Sequence, residues 1–237
     1  MHKSPEILIK KAEEFNINLS ATQIKQFLKY WAFLFEYNKH TNLVSSAEFE
    51  TVMTKHFADS LSIGLLQEEL GLNTRRIFLD IGIGGGFPGV PVLIAFPQLK
   101  LCAVDSVGKK TEFLRQLSSE ININNRIEII NGRVEELDKK ETFDFVLSRA
   151  VSRLRVLLEY SLPFVKQNGY FVAYKARTFR EEIDEAKNAL NILGGEVFQV
   201  MHYTLSSEDR NLIPVKKIKA SPQKYPRKAG VPKKNPL

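Results

Sequence analysis

A run of glycines directly after a hydrophobic segment is the feature of this sequence best suited to bind a ligand. Residues 78–81 lead into four glycines within five residues, and a segment compatible with a helix follows from Gly89. Glycine lets a backbone pass close beneath a bound molecule where a Cβ would clash. Each ordered glycine costs roughly 0.5–1 kcal/mol, so four together disfavour a plain turn. The loop therefore predicts a site for a flat or extended ligand.

One ligand class that fits this loop is a dinucleotide, which would make the protein an NAD-dependent reductase. Gly84, Gly86 and Gly89 match the G-x-G-x-x-G fingerprint of dinucleotide sites. Pro88, however, stands where the following helix should offer free N–H groups to a pyrophosphate, which weakens this interpretation.

A second ligand class is S-adenosylmethionine. Asp80 begins the pattern D-x-G-x-G-x-G with Gly82, Gly84 and Gly86, which is the motif of class I methyltransferases that bind this cofactor. S-adenosylmethionine has no phosphate, but its amino group and its sulfonium are both cationic. A carboxylate at the end of the strand is attracted to those charges. The charge argument favours S-adenosylmethionine over a dinucleotide.

A second acidic residue, Asp105, stands 23 residues after Gly82 at the end of the next predicted strand. This is close to the roughly 20-residue spacing at which an acidic residue contacts ribose hydroxyls in such folds. Asp105 or Ser106 could equally cap the helix predicted to begin at Lys109. Both roles are compatible if one residue caps while the other binds.

The elements that must position these residues alternate between strands and helices from Arg76 onward, which is typical of βαβ units and a parallel sheet. The predicted strands are residues 77–81, 99–105, 127–131, 143–148 and 170–175. The predicted helices are residues 89–96, 109–121, 154–162 and 179–193. Residues 197–205 and 211–218 predict two adjacent antiparallel strands. The expected fold class is α/β, a Rossmann-like and mostly parallel sheet with an antiparallel end hairpin. Ligands bind at the carboxyl ends of such strands, so the loops at 133–135 and 148–150 also belong to the candidate site.

The first seventy residues predict three helices ahead of the sheet. A Ser-Pro pair at residue 4 and capping boxes beginning at residues 20 and 45 indicate where these helices start. In the second helix one apolar stripe is expected to face the core; it consists of Ile24, Phe27, Leu28, Trp31 and Phe35. The expected organisation is an N-terminal helical subdomain at 1–72, a cofactor-binding domain at 73–220 and a basic tail at 221–237.

Composition excludes several other classes of protein. The chain has 237 residues, of which 43% are hydrophobic, enough for a sizeable core. Its longest uninterrupted apolar stretch, residues 90–96, is far shorter than the roughly 20 residues of a membrane span. With no secretory leader visible at the N-terminus, the protein is expected to be cytoplasmic. The single cysteine, Cys102, lies in an apolar run and is expected to be a core residue.

The excess positive charge of the chain is concentrated at its C-terminus. The formal net charge is +7, yet residues 1–210 carry 26 basic and 27 acidic side chains. Residues 211–237 carry eight basic side chains and no acidic one. A neutral body with one basic end indicates either a polyanionic partner, such as RNA, or a solubilising tail.

Several short segments spread along the chain are shared with one known family. They are Asn42-Leu43, His56-Phe57-Ala58-Asp59-Ser60, the loop at 80–91, Asp105-Ser106, Gly108-Lys109-Lys110, Arg133-Val134-Glu135-Glu136, Ser148-Arg149-Ala150 and the tail segment at 225–232. Over nearly its whole length the sequence thereby resembles the RsmG (GidB) family of bacterial methyltransferases, and the tail segment resembles that of the Gram-positive members.

The resemblance implies S-adenosylmethionine as cofactor and transfer of its methyl group to N7 of a guanine in the 530 loop of 16S ribosomal RNA. The cofactor contacts that it implies are Gly82, Phe87, Val134, Glu135 and Arg149. The loop analysis adds Asp80, Gly84 and Asp105. The implied partner is 16S ribosomal RNA, as a small subunit or an assembly intermediate, and the chain is expected to be monomeric.

The sequence contains no catalytic triad, no carboxylate pair with a clear acid–base role and no cysteine nucleophile. Guanine N7 is an unprotonated acceptor, so its lone pair can attack a methyl group without a general base. We therefore expect neither a catalytic side chain nor a metal site. His56 and Asp59 are expected to pack between the N-terminal helices and the sheet.

Basic residues in two places are candidates for contacting RNA. Lys175 and Arg177 follow the fifth predicted strand, and Arg227 and Lys228 lie in the tail. A non-catalytic RNA-binding module that kept the fold but lost the chemistry is a further alternative to the methyltransferase.

Overall fold

One eight-stranded sheet organises the molecule, seen here in a computed structural model that describes residues 4–149, 152–176 and 179–237. Its strands are β1 (Ile77–Ile81), β2 (Lys100–Asp105), β3 (Ile127–Asn131), β4 (Phe143–Ser148), β5 (Val165–Lys175), β6 (Gly195–Val197), β7 (Met201–Leu205) and β8 (Glu208–Lys217). The strand order is β3-β2-β1-β4-β5-β8-β6, and β7 also pairs with β8. Strands β1 to β5 are mutually parallel, while β8 runs antiparallel to β5, β6 and β7. The predicted fold class is confirmed.

The strands that build the ligand crevice lie within one residue of their predicted bounds, and the larger differences concern the other half of the sheet. β1, β3 and β4 have the predicted bounds, β2 begins at Lys100 instead of Leu99, and β5 begins at Val165 instead of Tyr170. The predicted terminal hairpin is instead three strands, because β6 and β7 pair in succession with the long β8. The helix predicted at 179–193 divides into two helices at Ala186.

The helices lie before the sheet, between its strands and at the C-terminus. They are α1 (Glu6–Glu14), α2 (Ala21–Thr41), α3 (Phe49–Thr51), α4 (Asp59–Leu61), α5 (Gln67–Leu70), α6 (Gly89–Ala95), α7 (Gly108–Glu120), α8 (Leu154–Ser161), α9 (Phe179–Glu185), α10 (Lys187–Leu193) and α11 (Val231–Lys234). A π-helical stretch, Val52–Ala58, joins α3 to α4, and the 3₁₀ turn Ser62–Leu66 joins α4 to α5. No helix in the described ranges combines the length and the hydropathy that a membrane span requires.

Of the three predicted start signals of the N-terminal helices, the second is confirmed, the first is displaced by one residue and the third is wrong. Ser20 caps α2 in the predicted box. Its hydroxyl accepts a hydrogen bond from the backbone N–H of Gln23, and the side chain of Gln23 accepts one from the backbone N–H of Ser20. Helix α1 begins at Glu6, one residue later than the Ser-Pro signal predicts, and the Ser4 hydroxyl accepts a hydrogen bond from the N–H of Glu6 at 3.4 Å. The box predicted at Ser45 does not form, because the third helical segment begins only at Phe49.

Alternate residues of the strands pack into two hydrophobic clusters, as expected for a sheet covered by helices on both faces. Phe78 belongs to the first cluster with the N-terminal helices, and its neighbour Leu79 belongs to the second. Cys102 lies buried in the second cluster, where burial raises the pKa of its thiol to about 12, as expected for a core cysteine.

The long helix α2 ties the N-terminal region to the glycine loop. Its fully buried residues are Phe27, Tyr30 and Leu34, whereas Trp31 of the predicted stripe is only partly buried. The hydroxyl of Tyr30 donates a hydrogen bond to the carbonyl of Gly85. The buried face therefore shares Phe27 with the predicted stripe but continues through Tyr30 and Leu34, which also follow Phe27 at helical spacing.

Substituting Tyr30→Phe removes the hydroxyl and leaves the Gly85 carbonyl without this buried donor. We expect the free energy of unfolding to fall by about 1–2 kcal/mol, measured by urea denaturation. The matched control is Tyr37→Phe on the same helix, where the side chain is only partly buried; its effect should stay below about 0.5 kcal/mol. Equal losses in the two variants would contradict this role of Tyr30.

Candidate functional site

The candidate site lies where the strand order reverses, between β1 and β4. In open α/β sheets this switch point forms a crevice at the carboxyl ends of the strands. The Ser148 hydroxyl at the end of β4 donates to the carbonyl of Ile81 at 3.3 Å, which holds the two strand ends together. Gly82 and Arg149, which follow these residues, are thereby brought to the same edge of the sheet.

The glycine loop adopts backbone conformations that only glycine tolerates well. Gly82, Gly84 and Gly86 have φ of +71°, +59° and +102°. A Cβ on Gly82 would meet no atom within 4 Å, whereas a Cβ on Gly86 would stand 2.1 Å from the Tyr30 hydroxyl. Gly86 therefore allows the loop to pack against Tyr30, whereas the absence of a side chain at Gly82 leaves open space above the loop.

Asp80 is buried at the centre of this arrangement. Its Oδ2 accepts a hydrogen bond from the N–H of Gly89 at 2.7 Å, while its Oδ1 is buried with no partner in the described chain. Burial raises the pKa of Asp80 to about 7, against the opposing effects of the Gly89 N–H and the Arg149 charge. A cationic group near the loop would favour the charged carboxylate, so Asp80 suits the cofactor that the sequence predicts.

Asp105 holds the glycine loop from the second strand. Its Oδ2 accepts from the N–H of Gly84 and its Oδ1 from the N–H of Val107, both at 3.0 Å. The Nζ of Lys110 lies 3.6 Å from Oδ2. The capping role considered for Asp105 and Ser106 is wrong, because Val107 occupies the cap position of α7.

A cavity of about 500 Å³ opens beside these residues. It is lined by Gly82 directly after β1, by Asp105 at the end of β2, and by Val134 and Glu135 after β3. Four of the eight predicted cofactor residues thus share one cavity, which runs along three neighbouring strand ends. Tyr160 of α8 also lines it, a residue that the sequence analysis did not single out.

Phe87 and Arg149 lie in an adjacent cluster instead of in the cavity lining. Phe87 is 5% exposed, and its ring stacks on His56 with centroids 4.7 Å apart and on Tyr30 at 5.5 Å. The guanidinium of Arg149 lies 5.1 Å from the centre of the Phe87 ring, within the range of a cation–π contact.

Arg149 is held by hydrogen bonds to residues of the π-helical stretch and α4. Its Nη1 donates to Asp59 Oδ2 at 3.1 Å, and its Nη2 donates to His56 Nδ1 at 3.3 Å. Asp59 also accepts from the Tyr203 hydroxyl at 2.8 Å. His56 and Asp59 do lie between the N-terminal helices and the sheet, but they also position a predicted site residue. The sequence offered no signal for Tyr203, which β7 brings from 144 residues away.

The contact with Arg149 settles the protonation of His56. Arginine can only donate, so Nδ1 is the acceptor and the ring proton sits on Nε2. Burial, followed by the charges of Arg149 and Lys55, lowers the pKa of His56 to about 4. The imidazole is therefore neutral at physiological pH, and its buried Nε2 has no partner in the described ranges.

The N-terminus of α6 is closed to a phosphate. The N–H of Gly89 donates to Asp80, that of Val90 to Gly86 and that of Val92 to Pro88, while Pro91 has no N–H. A pyrophosphate site at a helix start requires free N–H groups. The dinucleotide interpretation of the loop therefore lacks its principal contacts.

The four RNA candidates have different surroundings. The Nζ of Lys175 lies 2.6 Å from Glu182 Oε2 and 2.6 Å from the carbonyl of Ser152. The Arg227 guanidinium forms an ion pair with Glu159, whereas Lys228 is exposed. Arg177 lies outside the described residues.

Comparison with known proteins gives a family for the whole arrangement. The sequence model of the family "rRNA small subunit methyltransferase G" (GidB) matches residues 23–213. The chain is 40% identical over 241 residues to ribosomal RNA small subunit methyltransferase G of Alkaliphilus metalliredigens, covering 99% of both chains. It is 41% identical to the protein of the same name from Lactococcus lactis, again over 99% of both. The chain belongs to this family. The family resemblance predicted from the sequence is confirmed.

The solved structures agree on the architecture. A geranyl diphosphate methyltransferase in complex with S-adenosylmethionine superposes with a TM-score of 0.52 at 15% identity, covering 67% of this chain and 85% of that one. At this identity the likeness concerns the fold, which is that of class I methyltransferases.

Two glycine substitutions separate ligand binding from folding. Gly82→Ala places a methyl group in the open space over the loop, so we expect at least tenfold weaker binding of S-adenosylhomocysteine by calorimetry. Its unfolding free energy should fall by only about 1–2 kcal/mol, from the positive φ. Gly86→Ala should lose roughly 3 kcal/mol, because the methyl group also overlaps the Tyr30 hydroxyl. Unchanged ligand affinity in Gly82→Ala would contradict the assignment.

Binding of S-adenosylmethionine should depend on the ionisation of Asp80. With a pKa of about 7, the carboxyl is mostly neutral at pH 6 and mostly charged at pH 8, and the charged form attracts the cationic ligand. The affinity of the wild-type protein relative to Asp80→Asn should therefore rise about tenfold from pH 6 to pH 8. Taking this ratio cancels titration of the ligand itself. A ratio independent of pH would show that Asp80 does not interact with the bound charge.

Proposed function

We propose that this protein transfers the methyl group of S-adenosylmethionine to N7 of a guanine in the 530 loop of 16S ribosomal RNA. The observation that carries the proposal is the open space above Gly82, continuous with a cavity lined by Asp105, Val134 and Glu135. Membership of the small-subunit rRNA methyltransferase G family supports the ribosomal substrate. The position of the guanine and the atom methylated come from the sequence resemblance.

Each part of the site has a role in holding the cofactor under this proposal. S-adenosylmethionine supplies an electrophilic methyl group on a cationic sulfur. Gly82 lets the backbone approach it closely, and the Asp80 carboxylate lies beneath the loop with one oxygen that has no partner among the described residues. We assign Asp105 to the ribose and Val134 with Glu135 to the base. Asp105 ends β2 and the other two follow β3, so they lie successively farther from β1 along the edge of the sheet.

The reaction requires positioning instead of proton transfer. The N7 lone pair is free to attack, since N7 carries no proton. Holding the nucleophile and the methyl group in line can contribute roughly 7–11 kcal/mol. His56 has a pKa of about 4, so it is not a cationic acid at neutral pH. Its contacts with Phe87 and Arg149 instead make it a part of the rigid wall beside the loop.

An RNA partner needs exposed positive charge near the site. The two described candidates with internal partners, Lys175 and Arg227, are less available for phosphates than Lys228, which is exposed. We therefore place the RNA-facing charge on Lys228 and the exposed tail lysines Lys224 and Lys234. Such contacts are sequence-independent and would orient the RNA without selecting the base.

The decisive assay uses tritiated S-adenosylmethionine and small ribosomal subunits that lack the modification. We expect label on one guanine, recovered as N7-methylguanine after digestion to nucleosides. Label at another atom of guanine would overturn the proposed chemistry, and label on another RNA would overturn the substrate.

Gly82→Ala is the matched control for the assay. At subsaturating S-adenosylmethionine we expect its rate of transfer to fall at least tenfold, while its affinity for the subunit stays unchanged. If the protein were only an RNA-binding module, the wild type would bind subunits without transferring label. If it were a reductase, calorimetry would show binding of a nicotinamide dinucleotide in preference to S-adenosylhomocysteine.

A further inference from the structure

The basic C-terminal segment, residues 222–237, folds back onto the body of the protein. The Tyr225 side chain is 5% exposed and belongs to the second hydrophobic cluster, and Leu237 packs against the same cluster. Pro232 of α11 is also buried. The segment lies beyond residues 23–213, which the family model matches. A free, solvated arm would bury none of these side chains.

The segment is anchored to the body of the protein by one buried carboxylate, that of Glu159. Glu159 of α8 has a side chain that is 1% exposed. Its Oε1 accepts from the backbone N–H of Arg227 at 2.9 Å and from Nε at 2.8 Å, and its Oε2 accepts from Nη2. Nη2 also donates to the carbonyl of Asn235 at 2.9 Å, so the same guanidinium holds the C-terminal end of the segment. Two-point Arg–carboxylate contacts are among the strongest polar contacts in proteins.

From this anchor the segment reaches the cavity of the candidate site. The N–H of Gly230 donates to Glu135 Oε1 at 3.3 Å, and Lys233 lines the cavity. Leu157 and Tyr160, which flank the anchor residue Glu159 on α8, line the same cavity. The docked segment and α8 thus both contribute to the lining of the cavity, and the segment contacts Glu135 there.

We propose that residues 222–237 form a wall of the cofactor cavity at its base end, and that Arg227 and Glu159 are the positioning pair that holds this wall in place. The inference rests on the proposed function. Gly230 fixes the Glu135 carboxylate, and Lys233 closes the cavity from the outside. The basic end of the chain therefore serves cofactor binding as well as charge, and Arg227 acts internally instead of on RNA.

The neighbouring residues Arg227 and Lys228 provide a matched test. Arg227→Gln and Lys228→Gln each remove one positive charge from the tail, but only the first breaks the anchor. If S-adenosylhomocysteine binds only molecules in which the wall is docked, its apparent dissociation constant equals the intrinsic constant divided by the docked fraction. We expect Arg227→Gln to bind S-adenosylhomocysteine about three- to tenfold more weakly by calorimetry, and Lys228→Gln to bind it like the wild type.

Glu159→Gln is the second variant, since it weakens the anchor from α8 and keeps the size of the side chain. It should weaken S-adenosylhomocysteine binding in the same direction, with far-UV circular dichroism and melting curves to establish that it is folded. In the wild type, S-adenosylhomocysteine should slow trypsin cleavage after Lys228, because a ligand that binds the docked state stabilises it. In Arg227→Gln, cleavage after Lys228 should be fast without ligand.

Three results would overturn the proposal in distinguishable ways. Wild-type affinity for S-adenosylhomocysteine in both anchor variants would show that the segment is no part of the cavity. Equal loss of RNA affinity in Arg227→Gln and Lys228→Gln, with ligand affinity unchanged, would make the segment an RNA-binding arm. Failure of the wild type itself to bind S-adenosylhomocysteine would overturn the proposed function, and the proposed wall with it.

Discussion

The hydrogen bond between Asp80 and the Gly89 N–H is the contact on which the rest of the site depends. It joins the end of β1 to the start of α6 across the glycine loop, in a place where a Cβ on Gly89 would stand 2.7 Å from the carboxylate. It also uses the first N–H of the helix, which a phosphate would otherwise need. The Asp80 carboxylate thus shapes the loop and determines which class of ligand the loop can accept. Burial at this position also raises the pKa of Asp80.

The same loop is supported from outside the sheet. Tyr30 of α2 bonds to Gly85 and stacks on Phe87, and the π-helical stretch brings His56 against the other residues of that cluster. Arg149 connects this layer to Asp59. The N-terminal helices are therefore part of the site's rigid frame, which a reaction catalysed by positioning requires.

The basic residues near the C-terminus have different roles in the folded protein, depending on whether each is buried against a carboxylate or exposed. Eight basic residues in the last 27 indicate a polyanion-binding tail. In the folded protein Lys217 is buried beside Glu141, and Arg227 neutralises the buried Glu159. Glu159 without its partner would be an uncompensated buried carboxylate, which costs several kcal/mol, so Arg227 stabilises the fold. The remaining lysines keep the positive surface on which the proposed RNA contact relies.

The sequence by itself determined the parallel sheet, the bounds of β1, β3 and β4, the glycine loop and the family, because these depend on local periodicity and contiguous motifs. It also placed Gly82, Asp105, Val134 and Glu135 together, since neighbouring strand ends must share an edge. Only the tertiary structure decided the partners of Arg149 and Arg227, and the closeness of the tail to Glu135. Those contacts join residues that are 68 to 95 positions apart in the sequence, and a separation of that size leaves no periodic or local signal in the chain.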